Sequence, residues 1–210
     1  MTVLRRLGVG LSLLALVGGC STKPVDYRAV WTKSASPPTS TAPDKTTFPY
    51  LQYLKDKNVQ GTAMTPQNLT DLTVSLPQPA GWTVVTDKSQ PDAFEILRKT
   101  AVGPFQPTAM LYVFKLTGDF DVNEAIKQGY GMPGAKVETF HGMPSSVIEA
   151  TYGEANGQQV HRYNQIIFAT AKPPTNQRYL IQFSMTTSAD QAEQDPSVVT
   201  IIKGFTVTVR

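Results

Sequence analysis

The stretch Thr108 to Leu116 does most to limit what this chain can become. Successive strand residues point to opposite faces, and here neither face is polar. Met110, Tyr112, Phe114 and Leu116 fall on one side; Ala109, Leu111 and Val113 fall on the other. A strand apolar on both sides belongs at the centre of a sheet that is covered on both faces.

The surrounding pattern supplies strands and covers. Phe48, Leu51, Leu54 and Val59 recur at helical spacing, and Pro49 suits a first turn, so 48–58 reads as a short amphipathic helix. Strands are expected over 72–76, 82–85, 93–98 and 108–116. Asp121 and Glu124 read as a capping box for a helix with Val122, Ala125 and Ile126 inward, stopped by Gly129. Strands 145–154 and 158–170 flank Asn156-Gly157, a pair that favours a tight hairpin because both residues tolerate positive φ. A strand follows over 178–187 with Tyr179, Ile181, Phe183 and Met185 inward. Ser188 caps one helix and Asp195 the next, where Pro196 can occupy only the first position. Val198, Val199, Ile201 and Ile202 pack that helix, Gly204 ends it, and 205–209 is the last strand. Strands in hairpin order, interrupted by helices at two places, describe an α+β fold: an antiparallel β-sheet sandwiched by helices.

The start of the chain carries an address. Arg5 and Arg6 precede the apolar run Leu7 to Gly19, which ends in Gly18-Gly19-Cys20. A basic start, a short greasy stretch and small residues before a cut make a secretory signal peptide. The run is shorter than the roughly 18 residues of a membrane-spanning helix. Glycines followed at once by cysteine resemble the bacterial lipobox, in which the cysteine sulfur takes a diacylglycerol and the new N-terminus an acyl chain. Residues 1–19 are thus expected to be a lipoprotein signal peptide and Cys20 the lipidated residue. Each buried methylene adds about 0.8 kcal/mol of membrane affinity, so two or three chains anchor a protein stably.

Cys20 is the only cysteine. The rest of the chain can form no disulfide, thiolate metal site or catalytic thiolate, and its stability must come from a packed core. From Thr32 to Thr47, 11 of the 16 residues are Ser, Thr or Pro. Such a stretch buries too little to offset its ordering entropy. Residues 20–47 are therefore expected to form the lipidated end and a disordered tether reaching at most ~80 Å, and 48–210 a single domain. Removing Arg5 and Arg6 from the 19 basic residues leaves 17 against 16 acidic ones. That balance, with no basic run, offers no footprint for nucleic acid and no polybasic patch for anionic lipid.

No reaction is named by the motifs. His141 lies in a Gly- and Pro-containing loop and His161 in a strand, with no partner at metal-ligand spacing. Neither a metal nor a cofactor is expected. Ser145-Ser146 lacks the glycines of a nucleophile elbow. Alternation puts Glu149 and Thr151 on one face of their strand and Arg162 and Asn164 on one face of the next. With Gln165 they read as a polar cross-strand group on the solvated face, or as the rim of a groove for a polar head group. Trp82, Phe94, Tyr112, Tyr152, Tyr163 and Tyr179 read as core or half-buried sheet residues.

Four stretches, NLTDLTVSLPQPAGW at 68–82, PTAMLYVFKLTGDFD at 107–121, GMPSSVIEATY at 142–152 and QRYLIQFSMTTSAD at 177–190, together resemble the mycobacterial LpqN/LpqT lipoprotein family. The match runs over nearly all of 48–210. The resemblance implies a PsbP-like sandwich and a surface lipoprotein of the mycobacterial envelope, and it transfers no functional residue except Cys20. The expected protein is non-enzymatic, anchored on the extracytoplasmic side of the cell membrane by acyl chains, with partial release from it also expected. It acts as an adaptor for other envelope or extracellular proteins, including those that handle cell-wall lipids. A carrier of lipid or glycolipid is the alternative, and a small hydrolase a third reading. An exposed apolar patch would favour the adaptor, and a deep apolar pocket with a polar mouth the carrier.

Overall fold

The computed structural model describes residues 48–100, 105–155 and 157–210. The signal segment, Cys20 and the tether lie outside the described residues, as do Asn156 and the side chain of Tyr152.

Helix α1 spans Pro49–Asp56, with proline in its first turn as expected. Strands β1 (Gln60–Ala63), β2 (Leu72–Ser75), β3 (Trp82–Val84), β4 (Glu95–Lys99) and β5 (Thr108–Thr117) follow, then α2 (Val122–Gln128). The second half contains β6 (Lys136–Phe140), β7 (Met143–Ala155), β8 (Gln158–Thr170), β9 (Arg178–Ser188), α3 (Ala189–Gln194), α4 (Pro196–Gly204) and β10 (Thr206–Val209). The main sheet runs β3-β4-β5-β9-β8-β7-β6, and its pairings are antiparallel. One edge of β5 is shared: β4 pairs with Thr108–Leu111 and β1 with Phe114–Thr117.

Both faces of β5 are buried as the alternation requires. On one, Tyr112, Phe114 and Leu116 join Ile166, Phe168 and Leu180 of the sheet. Tyr50, Leu51 and Leu54 of α1, with Ala125 and Ile126 of α2, cover them. Burying each large side chain of that set contributes about 1.5–3 kcal/mol, which ties both helices to the sheet. On the other face, Leu111, Val113, Ile181, Phe183 and Met185 meet Val198 and Ile201 of α4. That second cover is only partly helical, since β2 and β10 pair into a separate ribbon that adds Leu72, Val74 and Val207.

Two local readings are corrected, and one strand is added. Asp121 does cap α2, accepting from the backbone N–H groups of Asn123 and Glu124 at 2.7 and 3.1 Å. Glu124 does not reach back, because it pairs with Lys127 at 2.6 Å, and the Asp121 N–H donates to the Tyr53 hydroxyl instead. Val199, expected to pack inward, is 38% exposed on α4. Strand β6 had no apolar alternation to betray it: four of its five residues are exposed.

Candidate functional site

The long β7–β8 hairpin decides which polar side chains can meet. Next to the turn, Ala155 pairs with Gln158, as a two-residue connection dictates. Continued without interruption, that register would set Glu149 opposite Asn164 and Thr151 opposite Arg162. Instead the register shifts between Thr151 and Glu154, where Gly153 holds a φ of 69°. One extra residue in β7 forms a bulge, and Glu149 falls opposite Tyr163, Thr151 opposite His161 and Ala150 opposite Arg162. The expected group of Glu149, Thr151, Arg162 and Asn164 is therefore split between two faces.

Glu149, Thr151, His161, Tyr163 and Gln165 share the face that carries α4 further along the sheet. His161 Nε2 lies 3.0 Å from Glu149 Oε1, and Nδ1 lies 3.0 Å from the Thr151 hydroxyl. A carboxylate oxygen accepts, so Nε2–H donates to Glu149, and the Thr151 hydroxyl, which can donate or accept, pairs with Nδ1. Tyr163 donates to Gln165 at 3.1 Å, and the Gln165 amide donates to Ser145 at 3.0 Å. Burial, with Glu138 and Glu149 nearby, holds the Tyr163 phenol above its ordinary pKa, so it stays a neutral donor. Ser145 and Ser146 are fully buried, which removes both from contact with any substrate.

Arg162 and Asn164 face the other way, on the side of α1. With Ile148 and Ala150 they line a small cleft whose remaining walls are Phe48, Tyr130 and Met132. The aromatic wall is tightly built: Phe48 meets Tyr130 edge-on at 5.1 Å and stacks on Tyr50 at 5.8 Å. It is held in place because the Tyr50 N–H donates to the Gly129 carbonyl, tying the start of α1 to the end of α2. Gly131 has a φ of 61°, and a Cβ there would sit 2.4 Å from Pro49 Cγ, so only glycine lets the 130–132 loop close on α1. Met132 is left 41% exposed at the rim. Phe48, the first of the described residues, stands in the cleft wall.

Sequence reasoning identified Arg162 and Asn164 but missed Phe48, Tyr130 and Met132. The available signal was a methionine placed in the loop Gly131-Met132-Pro133-Gly134, where no core position could use it. Of the aromatic residues expected in the core or half-buried in the sheet, Trp82, Tyr112 and Tyr179 are buried, and Phe94 and Tyr163 are half-buried. His141 sits in the β6–β7 turn with a φ of 50°, its ring against Phe140 at 4.5 Å. Among the described residues no three His, Cys, Asp or Glu side chains could hold a metal ion, and no helix is long and apolar enough to cross a membrane.

The model of a family described as "Probable lipoprotein LpqN" matches residues 46–208. The lipoprotein LpqT of Mycobacterium tuberculosis is 36% identical over 220 residues, covering 97% of this chain and 93% of that protein. Its namesake in Mycobacterium leprae is 36% identical over 209 residues, 95% of this chain and 92% of that one. The proline-rich 28 kDa antigen of Mycobacterium tuberculosis is 34% identical over 166 residues, 74% of this chain and 52% of the antigen. A crystal structure of LpqN, a Mycobacterium tuberculosis protein involved in cell envelope biogenesis, superposes with a TM-score of 0.60 at 19% identity. It covers 74% of this chain and 95% of LpqN, and this likeness shows the shared fold. The chain belongs to the LpqN/LpqT family of lipoproteins.

Proposed function

We propose that this lipoprotein is held on the extracytoplasmic side of the cell membrane by acyl chains on Cys20 and works there without catalysis, as an adaptor for another envelope protein. Its setting would be that of LpqN, in cell envelope biogenesis. The observation that carries the adaptor reading is the cleft on the α1 face. An exposed methionine and two aromatic rings packed on each other stand beside an arginine and an asparagine. Flexible thioether, aromatic and guanidinium groups are those enriched where proteins bind one another.

The carrier alternative needs room for an acyl chain. The space between sheet and helices is filled instead: Tyr50, Leu51, Leu54, Ile166 and Leu180 are each 0% exposed. A polar head group could still meet Arg162 and Asn164 at the cleft, but its chain would lie outside the core. A hydrolytic reading would fall to the row Thr151–His161–Glu149. Such a row gains its power in a water-excluded site with preorganised donors, whereas the Glu149 side chain is 56% exposed on an open strand face.

A photo-activatable side chain in place of Met132, in the lipidated protein within its native membrane, tests the reading. Mass analysis of the adducts should show one predominant protein, absent when the same group replaces the exposed Val84. Lipid adducts alone would establish the carrier, and the absence of any specific adduct would remove the cleft as the site.

A further inference from the structure

We propose that β6 is a self-association edge, through which two copies pair antiparallel about Val137 and run one sheet through both molecules. β6 ends the main sheet, bonded only to β7 among the described strands. Lys136 through Thr139 are exposed, and Val137 is 58% exposed. Free strand edges are templates for pairing, and proteins usually blunt them by shortening, proline or charged side chains, lysine above all. The opposite edge follows that practice, since β3 is only three residues long. β6 has five residues, no proline, and a lysine balanced two positions on by a glutamate.

The charge order selects the occupant. In an antiparallel pair centred on Val137, Lys136 of each copy stands directly opposite Glu138 of the other, and the two valines face each other on the other side of the strand pair. Lys136 and Glu138 lie on one face of the strand, paired with Val147 and Ser145 of β7, so both ion pairs form on the same side. Opposite charges across a strand pair stabilise it and like charges weaken it. The segment is therefore complementary to itself, which a two-fold interface requires.

The symmetry also agrees with a shared membrane. Two antiparallel neighbours are related by a two-fold axis normal to the sheet, and that axis leaves each face on its own side. Helix α1 then covers the same side in both copies, and both chains enter there through Phe48. Two anchors can thus sit in one bilayer; this step rests on the Cys20 anchor proposed above. Centred on Val137, the two strands overlap only over Lys136–Glu138, a contact well below the roughly 1,200 Å² of a stable interface. Pairing is accordingly expected where anchoring in one membrane raises the effective concentration.

The test uses the lipidated full-length mature protein in its own membranes. With Cys20 acylated, Val137→Cys carries the only thiol. Direct cross-strand partners lie about 4.5–5.5 Å apart at Cα, inside the range a disulfide can bridge. Mild oxidation should give a homodimer, at least about five-fold more than Val84→Cys at the far edge. Adding Lys136→Glu or Glu138→Lys to Val137→Cys should each reduce that yield about five-fold. Adding both together should restore it, because the exchanged charges again face their opposites, and restoration shows that the single changes did not act by unfolding. No homodimer, cross-linking to a different protein, or failure of the double exchange to restore the yield would overturn the proposal. Wild type is the control for the anchor: a homodimer formed through Cys20 itself would reveal an unacylated cysteine, a failure separate from that of β6.

Discussion

The most instructive perturbation is Tyr50→Phe, because it removes one atom from the contact that seats α1 on the sheet. Tyr50 is fully buried and its hydroxyl accepts a hydrogen bond from the Gln182 side-chain amide at 2.5 Å. Gln182 lies on β9, 4% exposed, and its carbonyl oxygen has no hydrogen-bond partner among the described residues. The phenylalanine ring keeps the packing against Phe48 and Tyr130 but leaves the Gln182 N–H group without that acceptor. Stranding a buried donor costs about 1–3 kcal/mol. For a domain of about 160 residues each kcal/mol moves Tm by about 2–4 °C, so a fall of ~5 °C is the central expectation. Gln182→Met removes the whole amide, and the double variant removes both partners. Replacing a buried polar pair by apolar groups of similar shape is nearly neutral, so the double variant should lose less than the two single losses added. Thermal and urea unfolding followed by circular dichroism, analysed as a double-mutant cycle, measures this coupling. A Tyr50→Phe protein that melts within about 1 °C of the parent, or losses that simply add, would refute the reasoning. Because α1 carries the cleft wall, Tyr50→Phe should also weaken the Met132 adduct.

Two further predictions concern the anchor and acid stability. Cys20→Ala should abolish incorporation of an alkynyl fatty acid and leave the chain with its signal segment; undiminished labelling of the variant would sink the lipobox reading. Asp87 is held down to about 2 from 3.8 by hydrogen bonds from Ser89 and then by Arg98. A carboxylate depressed in the folded state stabilises it above its unfolded pKa, and that contribution is lost as pH falls through the folded value. The Tm gap between the parent and Asp87→Asn should therefore be widest at pH 5–7 and close between about pH 4 and pH 2. An unchanged gap at pH 2 would show that the carboxylate does not act in this way. Asp195 shifts in the same direction: burial pushes it up, but the Lys99 and Ser197 hydrogen bonds outweigh that.

Much of the fold could be read from local signals because those signals are local in origin. The two-faced pattern at Thr108–Leu116 required a central strand with two covers. The helix starts at Pro49, Ser188 and Asp195–Pro196 followed from what proline lacks and what Ser and Asp side chains can accept. β6 was illegible for the opposite reason: at a sheet edge its residues face water, and no burial imprints a period on Lys136–Phe140. The separate β2–β10 ribbon was equally hidden, since nothing in either short strand says which partner, more than a hundred residues away, it will find.

The sequence alone determined the kind of protein this is: a lipobox-like cysteine, a Ser/Thr/Pro stretch, an α+β domain with a central antiparallel strand, and stretches that point to the family. What it could not determine was which of its polar residues meet. Side-chain direction in a strand has a period of two, so a single extra residue inverts every later assignment. Only the three-dimensional register shows that the shift at Gly153 sends Glu149 to His161 and releases Arg162 and Asn164 to the opposite face. Tertiary packing then supplies the rest of the cleft, bringing Phe48 from just before α1 and Met132 from a distant loop to residues of the hairpin.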